Sequence, residues 1–193
     1  VDITWGVAEK SSDQLELSAG FGGGIGLTGT LGVTFNNFSI RNIFHKEAWD
    51  PLPVGDGQKL SVRVQSNGRA YRSYNISFTE PWLGGKKRNS LTLSLYDTKF
   101  ANAYNPYTGT YEKQAADTSY FKTTGFSVGF QKQLKWPDDY FSIGASFNYA
   151  RYTLKNYAID QSLTLRDGSL FRNGNSNNVN LKLTLSRYSL DQQ

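Results

Sequence analysis

Residues 27–35 read LTGTLGVTF and lie inside the longest stretch of the chain that lacks a charged residue, Leu17 to Ile40. A run of that length is long enough for a membrane helix, which needs about 20 apolar residues. Its periodicity says otherwise. Leu27, Gly29, Leu31, Val33 and Phe35 alternate with Gly26, Thr28, Thr30, Gly32 and Thr34, a period of two and not 3.6. The stretch is a strand with one apolar face.

The same pattern recurs outward in both directions. Leu15, Leu17, Ala19 and Phe21 alternate with Glu16, Ser18 and Gly20, and Leu60, Val62 and Val64 with Ser61, Arg63 and Gln65. Tyr74, Ile76 and Phe78 then alternate with Asn75, Ser77 and Thr79, and Leu91, Leu93 and Leu95 with Thr92 and Ser94. Phe126, Val128 and Phe130 follow, then Phe141, Ile143, Ala145, Phe147 and Tyr149, and last Val179, Leu181, Leu183 and Leu185. Eight strands are expected.

The second face decides between a soluble sheet and a membrane barrel. It carries Ser, Thr, Gly, Asn and Gln, with few charges at strand centres. A soluble sheet would offer water more Lys and Glu; a membrane barrel turns the apolar face to lipid and lines its lumen with the weakly polar one. Leu27, Leu31, Ile76, Leu93, Ile143 and Leu183 are therefore expected to face lipid, and Thr28, Asn75, Ser94, Ser146 and Thr184 the lumen. Connections at 22–24, 66–69, 102–119 and 159–178 should share one end of the barrel. Those at 36–57, 81–89 and 134–139 should share the other, the first being too long for a simple hairpin and expected to carry structure of its own.

Composition agrees with a membrane sheet. Hydrophobic residues make up only 38% of the chain while aromatics reach 15%, with Tyr 12, Phe 12 and Trp 4, as the two aromatic girdles of a barrel require. Cysteine is absent, which excludes disulfides, thiolate metal sites and Cys nucleophiles. Methionine is absent too, and a chain that opens at Val1 without Met is expected to be a processed protein or a segment of one. The net charge of +5 suits a membrane surface or nothing in particular.

No constellation suggests enzymatic chemistry, and no cofactor is expected. Gly24, Gly26 and Gly29 match the dinucleotide fingerprint, but an alternating strand follows where the fingerprint needs a helix. His45 is the only histidine and has no cluster of ligands around it in sequence. Asp138 and Asp139 read as turn residues after Pro137, and Lys86, Lys87 and Arg88 as a basic turn that can meet anionic headgroups. Aromatics near basic residues sit at strand ends, where a girdle belongs, so no nucleic acid is expected as a partner. Arg72 and Arg151 continue the lipid-facing parity beyond the apolar band and are expected at the outer rim, where lipopolysaccharide phosphates can pair with them. Arg187 is expected at the opposite rim.

Two segments carry a family resemblance. VDITWGVAEK, residues 1–10, resembles the closing strand of the last POTRA domain, the periplasmic module before the barrel in the BamA family of outer-membrane assembly insertases. SFTEPWL, residues 77–83, resembles that family's fourth strand running into a periplasmic turn. The resemblance implies an all-β transmembrane antiparallel barrel of sixteen strands, of which residues 11–193 supply the first eight, in the outer membrane of a Gram-negative bacterium. It implies as partners nascent outer-membrane β-barrel proteins, the lipoproteins of an assembly complex, and outer-membrane lipid with its lipopolysaccharide.

The resemblance also implies a role for the first strand, Gln14, Leu15, Glu16, Leu17, Ser18, Ala19, Gly20 and Phe21. It would border the seam where the barrel closes and receive client strands by β-augmentation. The competing readings are an independent eight-stranded barrel and a passive pore. For a pore the candidate lumenal charges, Glu16, Arg63 and Lys182, are too few to form a ring.

Overall fold

The computed structural model describes residues 13–22, 26–49, 51–68, 70–85, 89–101, 104–105, 110–111, 117–157 and 173–188. The POTRA-like segment, Gly23 and Gly24, the basic run Lys86 to Arg88 and the chain's end lie outside them. The described strands are β1 (Gln14–Gly22), β2 (Gly26–Phe38), β3 (Gln58–Ser66), β4 (Tyr71–Glu80), β5 (Asn89–Ala101), β6 (Tyr104–Asn105), β7 (Thr110–Tyr111), β8 (Tyr120–Gln133), β9 (Phe141–Lys155) and β10 (Gly174–Arg187). All but β6 and β7 form one eight-stranded sheet in the order β1-β2-β3-β4-β5-β8-β9-β10, every pair antiparallel. β6 and β7 pair with each other inside the 102–119 connection.

Cross-strand rows through the middle of the sheet are uniform in polarity, because paired residues share a face. One row runs Leu15, Val33, Val62, Ile76, Leu95, Phe126, Tyr149, Val179. The neighbouring row on the other face runs Gln14, Thr34, Ser61, Ser77, Ser94, Ser127, Asn148, Asn180. The expected face assignment holds throughout. The apolar side chains have no second layer to pack on: the buried hydrophobic residues among those described are Phe38, Ala70 and Ala150, while Leu31, Ile76 and Leu183 are 50%, 47% and 70% exposed. A face of this breadth left open is a face made for lipid. Shallow hollows lie on the polar face, one of them lined by Ser61, Arg63, Gln65, Ser73 and Asn75.

The apolar band is oblique to these rows. On β1 it rises from Leu15 to Phe21, whereas on β10 it descends from Val179, in the same row as Leu15, to Leu185. The band thus drifts by about six residues over the seven steps between strands, which at ~3.3 Å per residue and ~4.8 Å per step is a strand tilt of roughly 30°. That is near the ~35–45° that barrel closure requires. The tilt is written in the hydrophobic pattern itself.

The turns at 23–25 and 67–70 and the connections at 102–119 and 156–173 share one end, here the upper rim; the connections at 39–57, 81–88 and 134–140 share the lower rim. The last upper connection is shorter than expected, because β10 begins at Gly174 and pairs Gly174 to Asn178 with Leu154 to Ala150. Asparagine is a poor strand former, but above the apolar band the partner strand's open ladder decides the conformation.

The 39–57 connection does carry its own structure. Two 3-10 turns, Arg41–Phe44 and Lys46–Ala48, are locked by polar groups: the fully buried Ser39 hydroxyl donates to Asp56 Oδ2 at 2.6 Å and accepts the Asn42 amide at 3.1 Å. Asn42 Nδ2 donates to the Val54 carbonyl at 2.8 Å. Gly57, at φ 64°, turns the chain into β3. In SFTEPWL, Glu80 closes the turn, its carboxylate accepting the Trp82 amide at 2.9 Å and Gln58 Nε2 at 2.7 Å.

The sheet is open. Among the described residues β1 pairs only with β2 and β10 only with β9, so the closed eight-stranded barrel weighed from the sequence is not the structure formed. The strand count alone permitted closure; the ladder does not make it.

Candidate functional site

The first strand is one free edge of this sheet. Its whole length, Gln14 to Gly22, is zipped to β2 from Thr34 to Gly26. In an antiparallel strand alternate residues turn their amide and carbonyl toward each neighbour, so half of the β1 backbone groups face away from β2. Among the described residues they meet no partner strand. Such an edge is a template for another strand, and in lipid its unpaired groups have no water to fall back on.

The side chains of β1 are divided cleanly. Leu15, Leu17 and Phe21 project from the apolar face, 72%, 81% and 82% exposed. Glu16 projects from the polar face and pairs with Arg63 Nη2 at 2.5 Å. That bridge spans from β1 to β3 over Gly32, which is directly opposite both residues. A Cβ at Gly32 would come within 3.2 Å of Glu16 Oε2, so the glycine leaves the crossing clear. Below it, Asp13 Oδ1 accepts the Asn36 amide at 3.0 Å. Above it packing thins: a Cβ at Gly20 would meet nothing within 4 Å, and Gly22 faces Gly26. The strand is held at its lower end and middle and loosely packed at its upper end.

The register puts Arg72 and Arg151 at the same, upper rim and on the apolar face, and Arg187 at the lower rim. Arg187 pairs with Asp138 at 3.2 Å, and Asp138 also accepts the Tyr140 amide at 3.0 Å, as a turn residue does. Sequence reading missed Lys99 and Lys122, which occupy the same row as Arg72. The signal was present: the parity of Leu91, Leu93 and Leu95 continues through Asp97 to Lys99, and that of Phe126 runs back through Thr124 to Lys122.

Among the described residues no group of His, Asp or Glu could hold a metal ion, and no helix is long and apolar enough to cross a membrane, which says nothing of strands. His45 sits between the two 3-10 turns and is the residue through which they join.

Residues 54–193 match the Omp85 superfamily domain. No curated protein matches the chain in sequence. Among solved structures, the chain is similar to the crystal structure of BamA from Haemophilus ducreyi lacking POTRA domains 1–3, with 17% identity and a TM-score of 0.53. The alignment covers 96% of this chain and 31% of that one, so the chain spans less than a third of its length. At that identity the likeness is one of fold. With the domain match covering β3 to β10 and the fold extending it through β1 and β2, the chain belongs to the Omp85 superfamily.

Proposed function

We propose that this chain supplies the N-terminal half of the barrel of an outer-membrane assembly factor, which folds and inserts client β-barrel proteins through a seam bordered by β1. The observation that carries the reading is the free edge of Gln14–Gly22, loosely packed at its upper end and attached to an otherwise continuous apolar-faced sheet. Membership of the superfamily and likeness to BamA support it. On this reading residues 1–10 end a POTRA-like domain, residues 11–193 are the first eight strands of sixteen, and the setting is the outer membrane. Clients would add to the edge through backbone hydrogen bonds, so no bond is made or broken and no cofactor is called for. Lipoproteins of an assembly complex would bind elsewhere on the whole protein.

The test is crosslinking in the natural full-length protein. Leu15, Leu17 or Ala19 is replaced by Cys, and a stalled client barrel carries Cys in its terminal strand. A disulfide requires Cα atoms within about 7 Å, so it reports strand pairing. One register of β1 should crosslink while Leu93→Cys in β5 should not. Absence of any adduct on β1 would overturn the insertase reading and leave the sheet as described.

A further inference from the structure

We propose that the upper outward rim of β4, β5, β8 and β9 is a binding site for phosphorylated lipid headgroups. Two rows above the apolar band build it. The lower runs Tyr74, Asp97, Thr124, Arg151 and the upper Arg72, Lys99, Lys122, Thr153, with Tyr120 facing Lys155 one step higher. Basic residues therefore come from each of the four strands, against Asp97 and Asp117 among the described acids nearby.

The faces exchange character at this level. Inside the sheet, where lower rows carry Ser, Thr and Asn, aromatic rings now meet: Tyr71 on Phe100 at 4.8 Å and Phe121 on Tyr152 at 6.0 Å between centroids. Outside, aliphatic side chains give way to cations. An apolar interior with a charged exterior is the arrangement of a sheet in water, so the hydrocarbon layer ends between the Tyr149 row and the Arg72 row. The rim stands at headgroup depth.

The cations are arranged as well as gathered. Asp97 holds Lys122 Nζ at 2.9 Å and accepts the Thr124 hydroxyl at 2.7 Å, which anchors the ammonium of Lys122, whose backbone lies between Lys99 and Thr153, on the row below its own. Lys99 Nζ lies 4.5 Å from the Tyr120 ring centroid and Lys155 Nζ 6.0 Å from it, so one ring orients two ammonium groups. Among the described residues Arg72 and Arg151 form no ion pair, and each guanidinium is a fork suited to phosphate oxygens. Neighbouring strands are ~4.8 Å apart, so a phosphate between Arg72 and its direct partner Lys99, or between Lys99 and Lys122, can be shared by both. Directly below lie Ile76, Leu95, Phe126 and Tyr149, an apolar track for the acyl chains of the same molecule. That continuity argues for a lipid and against a free anion.

The experiment uses the natural full-length protein in nonionic detergent, with bound lipid measured by native mass spectrometry. The probes are bis-phosphorylated lipid A, the same lipid dephosphorylated, phosphatidylglycerol, and inorganic phosphate as competitor. The triple variant Arg72→Gln, Lys122→Gln, Arg151→Gln should bind the phosphorylated lipids about tenfold or more weakly, since each lost charge-assisted contact is worth roughly that factor. Lys132→Gln with Lys135→Gln at the lower rim should not. A second variant, Arg72→Lys with Arg151→Lys, keeps charge and fold and should lose part of the affinity. Preference for lipid A over phosphatidylglycerol, or the reverse, supports phosphate recognition and identifies the source. Equal binding of the dephosphorylated lipid, unchanged binding by the triple variant, or displacement by inorganic phosphate at lipid concentrations would each overturn the proposal.

Discussion

The Tyr96 side chain lies across Gly125, its direct partner on the next strand, and its hydroxyl donates to Asn148 Oδ1 one strand further on at 2.9 Å. A Cβ on Gly125 would fall 2.6 Å from Tyr96 Oη and would also run into the Tyr149 carbonyl oxygen. One ring thus bridges β5, β8 and β9 on the lumenal face, with Ala150, the β9 partner of Gly125, buried in the same row. The glycine is where the sheet lets a large side chain lie flat, and the tyrosine fills the space the glycine leaves.

Gly125→Ala should therefore destabilise the folded barrel by about 1–3 kcal/mol, the usual cost of overpacking. Tyr96→Phe should cost about 1 kcal/mol for one hydrogen bond. Reversible denaturant titration in lipid or detergent measures both. Combining Gly125→Ala with Tyr96→Ala should cost less than the sum, because the ring is no longer there to be displaced. Strict additivity would show that ring and glycine are independent.

The face assignment makes a sharper prediction at midspan. Leu93 is paired with Phe78 and Val128, whereas Ser94 next to it is paired with Ser77 and Ser127. Leu93→Arg should cost roughly 2–4 kcal/mol in a bilayer, and Ser94→Arg much less, since the lumen is wet and its side chains are small. Refolding titrations into lipid vesicles compare the two. Equal costs would mean that the apolar face does not meet lipid.

Strand positions and faces were legible in the sequence because a half-lipid, half-lumen strand needs a period of two, and Leu31, Ile76 and Leu183 keep it. What lay beyond the apolar band was not. Gly174 to Asn178 has no alternation to read, since neither face there meets hydrocarbon, and only the ladder with Ala150 to Leu154 makes it a strand. Lys99 and Lys122 differ from that segment, because they keep the parity of Leu95 and Phe126 and are legible once it is followed past the apolar band. The bond from Ser39 to Asp56 joins residues far apart in sequence through a turn whose path no local signal gives. The edge status of β1 came from family resemblance; no residue in Gln14 to Phe21 announces it.

Ser39→Ala should loosen the lower connection without disturbing the sheet. The change leaves the Asp56 carboxylate and the Asn42 amide without their shared partner, a loss of about 1–3 kcal/mol for groups kept from water. Hydrogen exchange should rise at the Asn42 amide and at Val54, whose amide is held by the Ala48 carbonyl at 2.9 Å. Amides of β3 and β4 at midspan should keep their protection. Faster exchange spreading through β3 would mean that the connection holds the sheet and not merely itself.

The bridge from Glu16 to Arg63 ties the edge strand to the second strand inward. Both side chains are about half exposed, so the pair adds only about 0.2–1 kcal/mol to stability. Its position makes that small term matter. Separating β1 from β2 must also break this contact, while separation anywhere beyond β3 leaves it intact. Glu16→Gln should raise the population of an opened first strand by roughly 1.4- to 5-fold, the factor that energy represents, and leave global denaturation almost unchanged. Gly32→Ala should act in the same direction, because its Cβ crowds the Glu16 carboxylate. A Cys at Leu17 reports opening through its rate of disulfide capture by a client strand or a small disulfide reagent. If the bridge restrains the edge, both variants speed capture at Leu17 and neither speeds it at Leu93. An unchanged capture rate in Glu16→Gln would show that β1 is held by its ladder to β2 alone.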